Sequence, residues 1–369
     1  MKTQKADKVF LSILVILVAF GFLIFASAAL GLLAGDNLEF SRIALNQVFF
    51  GLVLGGAAAY ILSRIEYRIF RRYAFYLLLF SLGVTALVFV PALGFSSGGA
   101  TRWLHFGNFT FQPAELLKLG FVVYFAAWLS GVKEKVAMWQ YGLAPLLVLS
   151  AAAGAVLLLQ PDTGTFMVIF AAGLAMFVAA GGPWRHVLYL ALLASVSVGA
   201  MAFYNPYVMS RITTFINPAA VDPLGAGFQI QQSLIAVGSG GVFGRGFGQS
   251  IQKFGSLPEP IGDSIFAVFS EEFGFAGAVA LVLIFIFFAL RGLKIASQSR
   301  DSFGLLLSVG IITLIVSQSF VNMGSMLGIL PLTGIPLLFV SHGGSAMLFA
   351  LAEAGIVLNI SKYRKMGKS

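Results

Sequence analysis

The stretch LPEPIGDSIFAVFSEEFG, residues 257–274, joins a proline-rich turn to a long apolar run and carries four carboxylates. Asp263 follows Pro258, Pro260 and Gly262, which favour a turn, so a helix is predicted to begin near this acid. The positive end of the helix dipole then lies close to the carboxylate. An acid held where a loop meets an apolar helix is a candidate catalytic group at a membrane surface.

The composition defines the broad class of the chain. Hydrophobic residues make up 59% of it and charged residues 10%, and the mean hydropathy is +0.94. A soluble domain does not tolerate such a surface, so we expect a polytopic membrane protein. The net charge of +9 does not indicate nucleic acid, because the basic residues form short clusters between apolar runs rather than one basic face.

Ten apolar runs are long enough to cross a bilayer, which takes roughly 20 residues. They lie near residues 9–33, 44–63, 73–93, 114–131, 142–160, 163–181, 185–203, 264–290, 303–323 and 341–360. The predicted fold class is therefore all-α, with about ten transmembrane helices in one membrane domain over residues 1–369. A large extracytoplasmic loop, 204–262, is predicted between spans 7 and 8.

The distribution of Lys and Arg predicts the orientation. With a cytoplasmic N-terminus, most basic residues fall inside and both termini are cytoplasmic. The basic residues then left outside are Arg42, Arg102, Arg211, Arg245 and Lys253. The outer loop 204–262 contains an amphipathic stretch, 228–237, followed by a glycine-rich segment, and loops of this length usually have a function.

Six separated motifs resemble those of the SEDS family, the polytopic membrane proteins that include FtsW, RodA and SpoVE. In chain order they are GATRW (99–103) with FQPAELLK (111–118), QPDTGT (160–165), QIQQSLIAVGSGG (229–241) with GRGFGQ (244–249), LPE (257–259) with Asp263, GILPLTGIP (328–336) and FVSHGGS (339–345). They stand in the family's order over most of the chain, and the family's ten spans match the predicted number.

Two motifs depart from the family's common pattern. The family usually has Tyr where this chain has His342, and often His-Thr-Asp-Phe where this chain has residues 261–264. The acid of that second motif, Asp263, is retained. The run 257–268 resembles division-type FtsW proteins more than elongation-type RodA proteins.

The resemblance implies a peptidoglycan glycosyltransferase that polymerises lipid II at the outer face of the bacterial cytoplasmic membrane, for cell division or cell shape. In that reaction a sugar C4 hydroxyl attacks the anomeric carbon of another lipid-linked chain, with inversion, and undecaprenyl pyrophosphate departs. One base and several cations meet its needs. The resemblance places the family's essential acid at Asp263, which is the predicted general base.

Other interpretations stay open. A lipid II flippase or other transporter also needs many spans and intramembrane charges, and a non-catalytic scaffold would only recruit division proteins. The acid and cation motifs collect at the outer ends of spans, which favours the polymerase. For Asp263 itself, the alternative is a helix N-cap with no chemical role.

Charged groups inside a predicted span are the next candidates. Glu115 and Lys118 are three residues apart, so they lie on one helix face. Buried charges are costly unless they are paired or face a wet cavity. The pair is therefore either a mutual ion pair, or Lys118 and Arg102 face the substrate pyrophosphate.

Three outer residues complete the predicted substrate-binding set. Arg245 lies in a glycine-rich segment whose amides and guanidinium suit phosphate oxygens, although such segments are more often simply mobile. For Arg211 the alternative is a solvated loop charge. Glu259, between two prolines, is a candidate for orienting the acceptor, binding a divalent cation or holding the turn before Asp263.

A further set is predicted to support the site without entering its chemistry: Asp162, Glu271, Ser341, His342 and Ser345. Asp162 is expected to cap the sixth span, and glycines beside His342 let backbones approach closely. Glu271 and Glu272 are expected to face the interior of the bundle, as is Glu353.

Cofactors and partners follow mainly from the resemblance. The chain has no Cys and three His residues, which form no local metal-ligand pattern. A divalent cation, Mg²⁺ or Mn²⁺, at the pyrophosphate suits the chemistry, but no complete ligand set can be identified. The implied partners are lipid II, membrane lipid and a class B penicillin-binding protein, a transpeptidase that crosslinks new strands.

Overall fold

The structure is a computed structural model that describes residues 4–33, 37–97, 100–106, 109–204, 206–216 and 226–364. It is predominantly helical. The α-helices are α1 Lys8–Leu33, α2 Asn37–Asn46, α3 Gly55–Arg64, α4 Arg68–Ala86, α5 Pro113–Val132, α6 Leu143–Leu159, α7 Thr163–Ala179, α8 Trp184–Tyr204, α9 Pro206–Ile216, α10 Ala226–Ser239, α11 Ile265–Ser297, α12 Ser302–Met326 and α13 Gly344–Ile360. A π-helix, Gln47–Leu54, joins α2 to α3. Short 3₁₀ turns, Leu87–Phe89 and Lys133–Ala137, follow α4 and α5.

Each predicted apolar run overlaps a helix, and the helical multi-pass membrane fold is confirmed. Within the described residues, six helical segments are long and apolar enough to cross a membrane: Lys8–Gly31, Ile43–Arg64, Arg68–Phe89, Pro113–Ala137, Ile265–Ser297 and Ser302–Met326. Helices α6, α7 and α13 are apolar but have only 17 residues each. The number of ten crossings therefore stays a prediction.

Helices α5 and α12 form the centre of the bundle. In an apolar stretch of 18 residues from each of these helices, 67% is buried, against 33% in α1 and 22% in α11. Helix α12 packs against α5, α7, α11 and α13. Because the hydrocarbon core of a bilayer offers no hydrogen-bond partners, polar side chains on these two helices depend on other protein groups or enclosed water.

The segment 94–113, between the third and fourth predicted spans, forms a small sheet. Strands β1 Gly94–Ser97, β2 Ala100–Phe106 and β3 Phe109–Phe111 pair antiparallel in that order. The aromatic and β-branched residues of this segment favour strands. Residues 98 and 99 of the GATRW motif region lie outside the described residues.

The segment 204–262 is also more ordered than a loop. It holds α9 and α10, and α10 covers the predicted amphipathic stretch and packs against α11 and α12. The apolar face of the stretch is thus buried on the bundle. Residue 204 itself ends α8, and residues 217–225 lie outside the described residues.

Helix α11 is broken at Gly274, whose φ of 66° and ψ of −167° are not helical. The glycine-rich segment 240–246 runs along the break, and its backbone is paired with that of α11. The hydrogen bonds run from the amides of Arg245 and Gly246 to the carbonyls of Glu271 and Glu272, and from those of Phe275 and Ala276 to the carbonyls of Gly241 and Val242, at 2.9–3.0 Å. The segment therefore satisfies the backbone groups that the break leaves without helical partners.

This packing changes the interpretation of the small residues on α11. Ala267, Ser270, Gly274 and Gly277 lie on about one face of the helix, a small-residue strip that would suit a lipid tail or a partner helix, but the first three are buried and only Gly277 is partly exposed. A Cβ at Gly240 would lie 2.2 Å from the Ser270 carbonyl oxygen, and a Cβ at Gly274 would lie 2.3 Å from the Gly244 amide nitrogen. At Ser270 and Gly274 the strip is thus covered by the chain's own glycine-rich segment.

Candidate active site

Asp263 lies in the turn directly before α11. The helix begins at Ile265, and Ser264 occupies the N-cap position, one residue after Asp263. The Gln229 Nε2 amide donates to Asp263 Oδ1 at 3.0 Å and to Ser264 Oγ at 2.9 Å. A side chain on α10 thus orients the carboxylate.

The backbone of Asp263 is held by a second amide, Asn322 on α12. Asn322 Nδ2 donates to the carbonyl oxygens of Asp263 at 2.7 Å and Ile335 at 2.9 Å. A Cβ at Gly334 would lie 3.8 Å from Asp263 Oδ2. The segments that contain Asp263 and GILPLTGIP, far apart in sequence, therefore meet at this acid.

Glu259 shapes the turn that carries Asp263. Its carbonyl oxygen accepts from the amides of Gly262 at 3.0 Å and Ser264 at 3.2 Å, and its φ is 47°. These contacts agree with the turn role. Contacts of Glu259 with an acceptor sugar or a cation stay predictions.

Glu115 and Lys118 form an ion pair in the centre of the bundle. Lys118 Nζ lies 2.7 Å from Glu115 Oε2, and each side chain is 3% exposed. Lys118 also donates to Gln318 Oε1 at 2.6 Å, and Gln318 Nε2 donates to the Pro336 carbonyl at 3.2 Å. Glu115 and Lys118 thus form the mutual ion pair that was one of the two predicted arrangements. A contact between Lys118 and a pyrophosphate stays a prediction.

Gln318 and Asn322 link this ion pair to Asp263. They are four residues apart on α12 and so lie on one face of the helix. Gln318 binds the Lys118 ammonium, whereas Asn322 binds the Asp263 backbone. Both also hold the segment around Pro336 through the carbonyls of residues 335 and 336.

Arg102, on β2, binds the corner after α6. Its Nε donates to the Gln160 carbonyl at 3.2 Å, and its Nη2 donates to the Pro161 carbonyl. Asp162 caps α7 as expected, because its Oδ1 accepts from the Thr165 amide at 3.2 Å. Among the described contacts Arg102 thus has a structural role, and its contact with a pyrophosphate stays a prediction.

Glu271 and Glu272 are buried, as expected, and they anchor the chain that precedes Asp263. Glu271 accepts from the Ser250 hydroxyl at 2.6 Å and pairs with Arg245 Nε at 3.3 Å. Glu272 pairs with Lys253 Nζ at 2.8 Å, and the Lys253 side chain is fully buried. Lys253 is therefore not the exposed outer cation that its position in the sequence indicated.

Arg245 keeps 39% of its side chain exposed beside Glu271. The amides of residues 244–246 are bonded to the carbonyls of Gly240, Glu271 and Glu272, so these three are not available to phosphate. Of the groups expected to bind a phosphate in this segment, only the Arg245 guanidinium is therefore left, and its contact with a phosphate stays a prediction.

The FVSHGGS motif connects the start of α13 to the Asp263 turn. The His342 amide donates to the Ile261 carbonyl at 2.7 Å, and the Ser341 hydroxyl accepts from the Leu337 amide at 2.8 Å. The Ser345 hydroxyl is buried without a hydrogen-bond partner in the part of the chain that the structure describes. The contacts of Ser341 and His342 are those of supporting residues.

Glu353, on α13, is a second carboxyl group near the central ion pair of Glu115 and Lys118. It is 2% exposed, and its Oε1 has no hydrogen-bond partner among the described residues. The charges that act on it are those of Lys118 and Glu115. Arg211 lies in α9, and its side chain lies outside what the structure describes.

Metal ligands do not cluster in the described parts of the chain. No three side chains of His, Asp or Glu come together there in an arrangement that suits a metal ion. The divalent cation at the pyrophosphate therefore stays a prediction.

Four residues of this region were missed by the sequence analysis: Gln229, Lys253, Gln318 and Asn322. The two amides of α12 carry a signal, since they stand one turn apart in an otherwise apolar run. Gln229 has a weaker signal, because three Gln residues stand together at 229–232 and only the structure shows which one reaches Asp263.

The fold and these contacts define a multi-pass helical membrane protein whose buried polar groups converge on one acid at a helix start. Sequence comparison identifies the family to which this membrane protein belongs. The family described as "Cell cycle protein" (FTSW_RODA_SPOVE) matches residues 7–366. The chain belongs to this family, the SEDS proteins, and the resemblance stated from its motifs is confirmed.

Similar proteins cover nearly the whole chain. Stage V sporulation protein E of Bacillus subtilis (strain 168) is 37% identical over 85% of both chains. A protein of Geobacter metallireducens named "Probable peptidoglycan glycosyltransferase FtsW" is 37% identical over 98% of this chain and 96% of its own length.

Solved structures share the fold. One chain, from a structure described as "Structural coordination of polymerization and crosslinking by a peptidoglycan synthase complex", has a TM-score of 0.80 at 29% identity and covers 98% of this chain and 99% of its own. The rod shape determining protein RodA of Thermus thermophilus has a TM-score of 0.70 at 28% identity, with 98% of both chains covered.

Proposed function

We propose that this protein is a peptidoglycan glycosyltransferase that polymerises lipid II into glycan strands at the outer face of the cytoplasmic membrane. Its relatives of similar length carry the name peptidoglycan glycosyltransferase. The observation that carries the proposal is the position of Asp263, where one carboxylate at the start of α11 is oriented by Gln229. The Lys and Arg distribution supports an outer location for it.

Asp263 acts as the general base in this proposal. Its carboxylate takes the proton of the acceptor C4 hydroxyl as that oxygen attacks the anomeric carbon of the donor chain. The bond from the anomeric carbon to the pyrophosphate oxygen breaks, and undecaprenyl pyrophosphate leaves with its negative charge. Cations are needed to stabilise that charge, and the proposed groups are Arg245, Arg211, Lys118 and Arg102.

Asp263→Asn tests the base directly. The amide keeps an oxygen that accepts from Gln229, so the fold is expected to persist while the proton acceptor is lost. General bases contribute typically 10²–10⁴-fold, and we expect a loss of about that size in strand formation from lipid II by the purified protein. Glu134→Gln, at an exposed carboxylate in the 3₁₀ turn after α5, is the control and should retain most activity. An Asp263→Asn protein that polymerises at the parental rate would exclude this role.

A lipid II flippase is the second candidate, because buried charges such as Glu115 and Lys118 also occur in transporters. Detergent-solubilised lipid II, which needs no transport, separates the two activities. Strands formed under these conditions exclude a pure flippase. A scaffold alone is excluded if Asp263→Ala abolishes synthesis and leaves partner binding intact.

The proposed partner is a class B penicillin-binding protein that crosslinks the strands. The similar solved structure is described as a complex that coordinates polymerization and crosslinking. Co-purification of this chain with the transpeptidase of the same cell, followed by a polymerisation assay with and without it, tests the partnership.

A further inference from the structure

A groove runs along the surface between the first half of α1 and the second half of α11. The two helices lie side by side there, because the Phe10 and Phe288 rings are 4.8 Å apart and Asp7 pairs with Arg291 at 2.7 Å. The groove has a volume of about 370 Å³. Its apolar lining consists of Val9, Ile13, Ile16, Ile284, Phe287 and Leu290.

The groove is open towards the bilayer and one leaflet deep. Val9, Ile16, Phe287 and Leu290 are each at least half exposed, so the packing of the bundle leaves this surface uncovered. From Ile284 to Lys294 the helix rises about 15 Å, at ~1.5 Å per residue. That is half of the ~30 Å hydrocarbon core of a bilayer. One acyl chain of a single leaflet matches this length.

Basic side chains close one end of the groove. Arg291 and Lys294 line it, and Lys8 directly precedes the lining residue Val9. Asp7 is the carboxylate at this end, and it is bound by both Arg291 and Arg364. In the described part of the chain, no carboxylate lies within 4.0 Å of the Lys294 ammonium.

This end therefore carries an excess of positive charge. The orientation predicted from Lys and Arg places it at the cytoplasmic headgroup level. A phosphodiester with net negative charge complements it, whereas the ammonium group of a zwitterionic lipid is repelled. The length of the apolar lining matches one acyl chain and the basic end matches an anionic headgroup, so both features fit an anionic phospholipid.

We propose that the α1/α11 groove binds one anionic phospholipid of the cytoplasmic leaflet, with an acyl chain along the apolar lining and the phosphate at Lys294 and Arg291. The lipid bridges the start of α1 and the end of α11. The site is independent of Asp263, which lies at the opposite end of α11, and the proposal does not depend on the enzymatic function.

Native mass spectrometry of the purified protein in detergent, titrated with phosphatidylglycerol or phosphatidylcholine, tests the site. We expect one phosphatidylglycerol to bind in preference to phosphatidylcholine. Lys294→Gln should weaken that binding about fivefold, the effect of ~1 kcal/mol for one cation near an anionic headgroup. Ile16→Trp, at a half-exposed position, should weaken it by filling the groove.

Arg72→Gln is the matched control, because Arg72 is an exposed cation that is also predicted at the cytoplasmic face but lies on α4. It should leave phosphatidylglycerol binding unchanged, and thermal unfolding should show that all variants fold. Equal losses in Lys294→Gln and Arg72→Gln overturn the proposal, since they indicate non-specific attraction. It is also overturned by equal binding of both lipids, or by preferred binding of undecaprenyl pyrophosphate at this groove.

Discussion

The side-chain amide of Gln229 holds the Asp263 carboxylate at 3.0 Å, although 34 residues separate the two in sequence. The donor comes from α10, within the segment that sequence alone indicated as an outer loop. The acid and its orienting group thus belong to different elements. The packing of α10 on α11 is what brings them together.

Gln229→Leu should slow polymerisation of lipid II by about tenfold to a hundredfold. A hydrogen bond to a charged group contributes roughly 1.5–3 kcal/mol, and its loss removes one of the contacts that orient the carboxylate towards the acceptor hydroxyl. The measurement is the initial rate of strand formation by purified protein.

Gln231→Leu is the control for that change, because Gln231 lies on the same helix and is exposed. Its rate should equal that of the parent. A parental rate in Gln229→Leu itself would show that the hydrogen bond has no part in catalysis.

Lys118→Met should destabilise the protein strongly, because it leaves Glu115 as an unpaired charge in the centre of the bundle. Breaking a buried ion pair typically costs about 3–5 kcal/mol. The double change Glu115→Gln with Lys118→Met removes both charges and should recover much of the loss. Thermal unfolding in detergent measures this, and a double variant no more stable than Lys118→Met contradicts it.

Lipid II binding by the same double variant addresses the substrate role of Lys118. If the protein is stable but binds lipid II much more weakly, Lys118 contacts the substrate. If affinity and turnover are unchanged, the pair has only a structural role.

Gly244→Ala should prevent stable packing of the glycine-rich segment on α11. A Cβ there would lie 2.1 Å from the Glu272 carbonyl oxygen, and the φ of 80° is itself unfavourable for alanine. Gly255→Ala is the matched control, because its φ of 111° imposes a similar strain while no atom lies within 4 Å. The unfolding temperature should fall clearly further for Gly244→Ala, and equal losses would show that backbone strain alone matters.

Asp301→Asn should make stability less dependent on pH in acid. Burial alone would raise the pKa of Asp301, but hydrogen bonds from Gly304, Tyr67 and Arg68 outweigh it and hold the pKa below 3.8. The stabilisation is therefore present above about pH 3.8 and is lost as the pH falls through the lower pKa of the folded protein. The variant should be less stable at neutral pH by roughly 1–2 kcal/mol.

The difference in stability between the parent and Asp301→Asn should shrink as the pH falls below about 3.8. Unfolding temperatures of both proteins between pH 7 and 3 measure this difference. Glu66→Gln is the control, because Glu66 binds the same Arg68 at 3.1 Å but is 48% exposed. A surface ion pair contributes about 0–1 kcal/mol. A constant difference for Asp301→Asn over the whole range would contradict the expectation.

Sequence alone predicted the helices and the position of Asp263 at a helix start, because apolar runs and turn residues are local signals. It did not predict which partners the charged groups have. Lys253 stands in a segment that was predicted to lie outside the membrane, yet its side chain is buried against Glu272. Such a pairing depends on how a distant segment packs, and no local pattern encodes it.

The amides of α12 illustrate the same limit. Gln318 and Asn322 stand one turn apart in an apolar run, and this spacing indicates a shared helix face but not the groups that the two amides bind. Their partners lie 200 and 59 residues away. Arg102 shows the converse, since a cation that suits a pyrophosphate is bound to the Gln160 and Pro161 carbonyls.

The break at Gly274 divides α11 into a short part that follows Asp263 and a longer part that can cross the membrane. A helix of 33 residues would be about 50 Å long at ~1.5 Å per residue, well beyond the ~30 Å hydrocarbon core. The change of direction at Gly274 lets the part after the break cross the bilayer at a tilt of its own. Backbone hydrogen bonds to the glycine-rich segment on both sides of Gly274 fix this change of direction, so the part next to Asp263 need not follow the tilt of the part that crosses the membrane.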